Sequence, residues 1–238
     1  MTEQLDRRAD VTRLQILQAA SRQFAQKPYS LVSLDDILAD AAVTKGALYF
    51  HFRSKHALAS SIVELRADQA RVTVEDVLAR NLSGLETLID ISYLFAFEDI
   101  GDAMARAGLN LVESIGRTDG LRSRVLDAWT QAFTDIGLRA VSEGDFAGDI
   151  DPAPVARLLV SMYLGLRQTS SLDDPQRFLT DLELSWNLVL PGIVAPDRLS
   201  YLRQFIRRRT IVTIRKAIPL NANADPPKSH ASPPAGPD

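Results

Sequence analysis

Apolar residues recur every three or four positions along almost the whole chain, and that period commits it to helices. Leu14, Leu17, Ala20 and Phe24 fall on one helix face, as do Leu34, Ile37, Leu38 and Ala41 over a shorter stretch. Leu58, Ile62 and Leu65 open a longer helix. The period returns at Leu85, Leu88 and Ile89, at Leu109 and Val112, and at Val125, Trp129, Ala132, Phe133 and Ile136. It continues at Val155, Leu158, Leu159 and Met162, then at Phe178, Leu182 and Ser185. Sustained two-residue alternation is missing. The β-branched run TIVTI at 210–214 has helical flanks and reads as helix with them. Breaks at Lys27-Pro28, Thr118-Asp119-Gly120, Gly144 to Pro154, Asp173-Asp174-Pro175 and Pro191-Gly192 leave segments of about 15–25 residues, the length of bundle helices. The expected fold class is therefore all-α.

The densest local signal is SLDDILADAAVTKGALYFHFRSK, residues 33–55. Ser33 followed three residues later by Asp36 forms a capping-box-like helix start, and Thr44 and Ser54 are further N-cap candidates. Two short helices joined by a tight turn and followed by a long helix make the helix-turn-helix layout, whose second helix enters the major groove. The side chains there suit a phosphate backbone and base edges. Ser33 and Thr44 offer hydroxyls, and Lys45 offers a flexible charge. Gly46 and Ala47 keep the helix start narrow, so the backbone can approach DNA closely. Tyr49 and His51 can hydrogen-bond phosphates, and Lys55 supplies a further contact at the next helix start. Leu48 and Phe52 read as core, with Phe50 open to either role.

Charge agrees with this locally but does not decide it. The chain has a formal net charge of −3, yet residues 1–60 hold eight Lys/Arg against six Asp/Glu. No acidic residue lies between Asp40 and Glu64, where Lys45, Arg53 and Lys55 all fall. An acidic protein can still present a basic contact face.

Composition excludes several other classes. With no cysteine there is no disulfide framework, thiol nucleophile or thiolate metal site, and three histidines (one of them His230, near the C-terminus) leave no His-rich metal site in the bundle. No P-loop, dinucleotide fingerprint or nucleophile elbow occurs, so no enzyme, metal or cofactor is expected. Glu98, Asp99 and Asp102 cluster near a helix end and read as a solvated turn. Arg207-Arg208-Arg209 reads as a solvated face. No apolar run reaches the ~18 residues of a spanning helix, and the charged N-terminus has no secretory signal, so a cytoplasmic protein without membrane contact is expected.

The segment VTKGALYFHFRSKHALA (43–59) resembles the DNA-binding domain of the TetR family of bacterial transcriptional regulators. ILQAASRQFAQ (16–26) is similar to that family's first helix. The Tyr-x-His-Phe-x-Ser-Lys run is its most specific element. Ala42 departs from the family's usual turn glycine, which implies a turn strained by about 1 kcal/mol. Lys27-Pro28-Tyr29 replaces the more usual glycine-aromatic pair. ARAGLNLVES (105–114), VLDAWTQAF (125–133), DPAPVARLLVSMYLG (151–165) and WNLVLPGI (186–193) resemble the γ-butyrolactone receptor branch found in actinobacteria. That resemblance implies a repressor released from its operator by a small apolar ligand, with Trp129 lining the pocket. The sequence departs from the branch around Leu166-Arg167-Gln168, where the branch tends to be less charged.

The expected architecture is a three-helix DNA-binding domain over residues 1–56 and a helical ligand-binding and dimerisation domain over residues 57–218. A proline-rich tail, residues 219–238, is expected to be disordered. Trp129, Phe95, Phe97, Phe133, Tyr163 and Trp186 are bulky residues expected to face one interior, either as plain core or as walls of a ligand pocket. Gln168, Thr130 and Thr169 are candidate polar contacts there. The apolar segments 151–170 and 175–195 would pair two copies into a homodimer, matched to a pseudo-palindromic double-stranded operator. The alternative is a regulator of the same kind that answers a different small molecule, or none.

Overall fold

The computed structural model describes residues 2–116, 120–148 and 150–223, and among them it shows ten α-helices and no strand longer than an isolated bridge between Phe146 and Val194. The helices are α1 (Thr2–Gln26), α2 (Leu34–Ala41), α3 (Lys45–His51), α4 (Lys55–Leu78), α5 (Gly84–Gly101) and α6 (Ala103–Ser114). The remainder are α7 (Leu121–Ser142), α8 (Pro152–Thr169), α9 (Pro175–Ile193) and α10 (Leu199–Lys216). The run at 210–214 is helical, within α10. The expected breaks fall close to the observed helix ends, except that α9 runs through Pro191 to Ile193. Thr118 and Asp119 lie outside the described residues.

Short polar side chains cap α2–α6, α8 and α9. Ser33 accepts from the Asp36 amide at 3.0 Å while Asp36 accepts from the Ser33 amide at 3.2 Å, closing the expected capping box. Thr44 and Ser54 accept from Ala47 and Ala57 in the same way, at 3.2 and 3.0 Å. Asp102 does double duty: its amide closes the last turn of α5, and its carboxylate caps α6 at Ala105. The turn between α2 and α3 passes through Ala42 at φ +54°, the left-handed conformation expected of a glycine.

Two apolar clusters result. One joins Ile16, Leu17, Phe24, Ile37, Leu48, Phe52, Leu58 and Ile62 of α1–α4 with Ala107, Leu111 and Val112 of α6 and with Leu121 and Val125 at the start of α7. The other fills the bundle with Leu88, Tyr93, Phe95, Phe133, Leu159, Tyr163, Phe178, Leu182, Trp186 and Leu202 among others. Trp129, partly buried, packs against both. The chain does not become disordered at 219: Leu220–Asn223 form a 3₁₀ turn, and Leu220 packs on the first cluster. Asn221 donates to Asp173 at 2.9 Å. An apolar side chain with a core to cover holds these residues in place despite the polar, proline-rich sequence around them. Residues 224–238, with His230, lie outside the described residues.

Candidate functional site

The helix-turn-helix buries one face and leaves the other open. Leu48 and Phe52 are buried as expected, whereas Phe50 is 78% exposed and stands edge-to-face with the His51 ring at 5.0 Å. Thr44, Lys45, Gly46 and Tyr49 lie exposed on the outer side of α3, with Ala47 and His51 half-buried beside them. Lys45 and Tyr49 make no hydrogen bond or ion pair among the described residues. A Cβ on Gly46 would have only Thr44 Oγ1 within reach, at 4.0 Å, so packing inside the chain does not require glycine there.

Lys55 is placed differently from the expectation of a phosphate contact. Its ammonium donates to the carbonyls of Tyr29 (2.9 Å) and Val32 (2.8 Å) and stands 4.3 Å from the centre of the Tyr29 ring. It clamps the turn after α1 to the start of α4. Ser33, the other outlying candidate, is exposed at the head of α2 with its oxygen taken by the cap.

Five of the six expected pocket residues come together. Phe95, Trp129, Phe133, Tyr163 and Trp186 line one cavity with Ser92, Leu159, Val160 and Met162. Phe95 and Trp129 pack with ring centres 5.5 Å apart. The cavity encloses about 20 Å³, little more than one water. On its other side, Trp129 joins Phe95 and Phe133 in a much larger groove of about 470 Å³ between α4 and α7, lined by Ala67, Ala70, Val74 and Leu78. Gln168 is not part of either. It is exposed at the end of α8 and donates to Glu113 at 2.6 Å. Thr130 and Thr169 bond back to their own helices, at Leu126 and Gly165. Phe97 is exposed, 38%, on the opposite side of α5 from Phe95.

Buried charge lies beside this apolar wall, where the sequence suggested a solvated turn. Asp99 is 1% exposed and takes two hydrogen bonds from the Arg167 guanidinium, whose side chain is 3% exposed. The Tyr163 hydroxyl donates to the same carboxylate at 3.2 Å. Burial, and then the Asp99 charge, push the Tyr163 phenol well above its usual range, so it remains a donor. Glu98 pairs with Arg66 of α4 at 2.6 Å, and the Arg66 guanidinium covers the Phe95 ring at 5.5 Å. Arg106 donates to the carbonyls of Asp99 and Ile100 and pairs with Asp173 at 2.8 Å. Arg209 is not simply solvated either, because it pairs with the buried Asp90 at 2.8 Å. The helical period held a signal for these pairs. Asp99 follows Phe95, and Arg167 follows Tyr163, by four residues, so each charge shares a face with a core aromatic.

On the outside of α8 and α9, Leu158, Leu184 and Leu188 are exposed at 48%, 55% and 82%. Leu184, Leu188 and Pro191 recur at helical spacing and form an unpartnered apolar stripe.

Residues 16–62 match the family model described as bacterial regulatory proteins of the tetR family, and residues 82–195 match a tetracyclin repressor-like C-terminal domain. The A-factor receptor protein of Streptomyces griseus is 32% identical over 197 residues, covering 82% of this chain and 68% of that protein. The chain belongs to the TetR family. Among solved structures, this TetR-family regulator is similar to a γ-butyrolactone receptor described as ArpA-like, with 31% identity, TM-score 0.76, and 86% of this chain and 99% of that one covered. It is equally similar to CprB from Streptomyces coelicolor in complex with its biological operator sequence, with 31% identity, TM-score 0.75, and the same 86% and 99% covered. The expected all-α regulator with an N-terminal helix-turn-helix and a C-terminal helical domain is therefore what the TetR-family match gives. Regulators of this family bind operator DNA as dimers, and their homologues are transcriptional regulators. Among the described residues of this TetR-family chain, no helix is long and apolar enough to cross a membrane.

Proposed function

We propose that this chain is a homodimeric repressor that reads its operator through Thr44, Lys45, Gly46, Ala47, Tyr49 and His51, and leaves it when an apolar γ-butyrolactone-like ligand binds beside Trp129. It works as a regulator and not as an enzyme, in the cytoplasm with its DNA. The single observation that carries the DNA reading is the outer face of α3. There a lysine and a tyrosine have no partner among the described residues, and a glycine meets nothing nearer than Thr44 Oγ1 at 4.0 Å, so all three are free to meet a surface outside the chain. Ser33 adds a hydroxyl at the head of α2. Lys55, held by two carbonyls, contributes by fixing the unit rather than by touching phosphate.

For the ligand, the supporting feature is that Phe95, Trp129 and Phe133 separate a nearly closed cavity from a groove against α4, the helix that runs on from the DNA-binding unit. Rotating these rings would merge the two spaces into a volume within the ~300–1,000 Å³ range of small-molecule sites. An alkyl chain lying in the groove would bear directly on Ala67, Ala70 and Val74. Ligand and DNA then prefer different placements of α4, and each weakens the other by the same factor. The nearly closed cavity also fits a second reading, a regulator of the same family answering another small apolar molecule or none. Dimerisation would bury the α8–α9 stripe around Leu184 and Leu188.

The test is a titration of the full-length protein against DNA from its own upstream region at several salt concentrations. Selective binding with a steep salt slope is expected, and Lys45→Ala should reduce that slope by about 1. Adding an alkyl-γ-butyrolactone should release the DNA from the wild type and not from Trp129→Ala. No selective binding at any salt would sink the repressor reading. Binding that the lactone leaves untouched would sink only the ligand assignment.

A further inference from the structure

The polar groups around Asp99 form a continuous line, buried at Tyr163, Asp99 and the Arg167 side chain and half-buried at Asn110, from the cavity beside Trp129 to the DNA-binding unit. It starts at Tyr163, whose ring lines the cavity and whose hydroxyl donates to Asp99 Oδ2. Asp99 on α5 is held at both oxygens by Arg167 on α8. The same Arg167 donates through Nη2 to Asn110 Oδ1 on α6, at 3.0 Å. Asn110 Nδ2 in turn donates to the Phe24 carbonyl at 3.0 Å and lies 3.5 Å from that of Ala25. Those carbonyls belong to the last turn of α1, where intrahelical partners run out. Asn110 is therefore a side-chain cap supplied to α1 from the other domain. Its orientation is unambiguous, because a guanidinium only donates and a carbonyl only accepts.

We propose that Tyr163, Asp99, Arg167 and Asn110 act as one relay by which the state of the cavity is felt at the end of α1, with Asn110 as the positioning residue at the domain boundary. The proposal rests on the reading of α3 as the DNA-contacting helix and deepens it by naming a coupling route separate from α4. Each member has its protons or lone pairs committed to the next, so a rotation at Tyr163 re-places Asp99, then the planar guanidinium, then the amide that ends α1. Low local dielectric makes each of these bonds hard to leave unmade. Coupling free energy is reciprocal, so the same line must carry the effect of DNA back to the cavity.

That reciprocity supplies a test that needs no ligand. The chain has two tryptophans, Trp129 and Trp186, and both line the cavity. The full-length dimer is titrated with a duplex selected by the protein from a random-sequence pool, while tryptophan emission and acrylamide quenching are followed. In the wild type, saturating duplex should change both signals. Asn110→Ala removes both bonds of the relay's last link, and Asn110→Asp keeps an acceptor for Arg167 but removes the donor to Phe24. Both variants should hold the duplex within about threefold of wild type, small against the ~5–150-fold span of ordinary coupling, and lose a clear part of the tryptophan response, the remainder travelling through α4. A merely structural role would lower affinity or folding without uncoupling the two. A wild-type response kept in full by both variants would overturn the relay and leave α4 as the route. So would a wild type that binds the duplex with no tryptophan response. If the wild type selects no duplex, the DNA-binding reading itself fails, and the relay with it.

Discussion

The ammonium of Lys55 sits 4.3 Å from the centre of the Tyr29 ring, with its protons on the carbonyls of Tyr29 and Val32. This joins the turn after α1 to the first residue of α4, and it converts a lysine that the sequence offered to DNA into an internal fastener. Replacing it with alanine should cost stability, because two carbonyls lose a charged donor and a ring loses its cation. About 2 kcal/mol is expected in urea denaturation at neutral pH. The salt slope of DNA binding, measured on the folded variant, should not change, in contrast to Lys45→Ala. A slope reduced by about one in both variants would return Lys55 to the phosphate contacts.

Ala42 holds φ at +54°. An L-residue with a Cβ pays for that conformation, whereas glycine adopts it freely. Ala42→Gly should therefore stabilise the protein by about 0.5–1 kcal/mol, net of the extra entropy glycine gives the unfolded chain. The check is a higher urea midpoint at unchanged slope, and a lower midpoint would mean that the turn is not strained.

Leu188 is 82% exposed on α9, so its side chain does little for the folded protomer. Leu188→Arg should leave the melting temperature of the isolated protomer nearly unchanged and place an unpaired charge in the proposed partner face. Sedimentation should show monomer where the wild type is a dimer, and operator affinity should fall with it. A dimer that survives this change uses another face.

Asp40 accepts from Arg22 at 2.7 Å and from Gln23 at 3.2 Å, and the Arg22 hydrogen bonds hold its carboxyl below the usual range. A carboxylate with a lowered folded-state pKa stabilises the fold above its unfolded value, near pH 3.9, and loses that contribution as the pH falls through the lower folded value. Arg22 is half-exposed and Asp40 only partly covered, so solvent screens the pair and the effect is small. Asp40→Asn should cost about 0.5 kcal/mol at pH 7 and almost nothing near pH 2, read from paired urea melts. An equal cost at both pH values would assign the effect to packing instead.

The sequence by itself determined the helices, their caps and the face of α3. These are local properties: a 3.6-residue apolar period, a hydroxyl at the starts of α2, α3 and α4, and Leu48 and Phe52 turned inward while Lys45 and Tyr49 turn out. The strain at Ala42 was legible for the same reason, since it is set by one residue's own backbone. Clustering of Phe95, Trp129, Phe133, Tyr163 and Trp186 was legible as shared burial, because bulky apolar residues on core faces must meet somewhere. What only the tertiary structure decided is where charge goes. Lys55 could reach phosphate or Tyr29, and the choice depends on a turn 26 residues away in sequence. Asp99 looked like part of a solvated turn, since an isolated charge belongs in water, and nothing local paired it with Arg167. They are buried because helices α5 and α8 deliver each to the other, 68 residues apart, and a paired charge can leave water that a single one cannot. Whether Trp129 faces a closed core or an open groove was likewise settled only by the distance between α4 and α7, a quantity that no local spacing encodes.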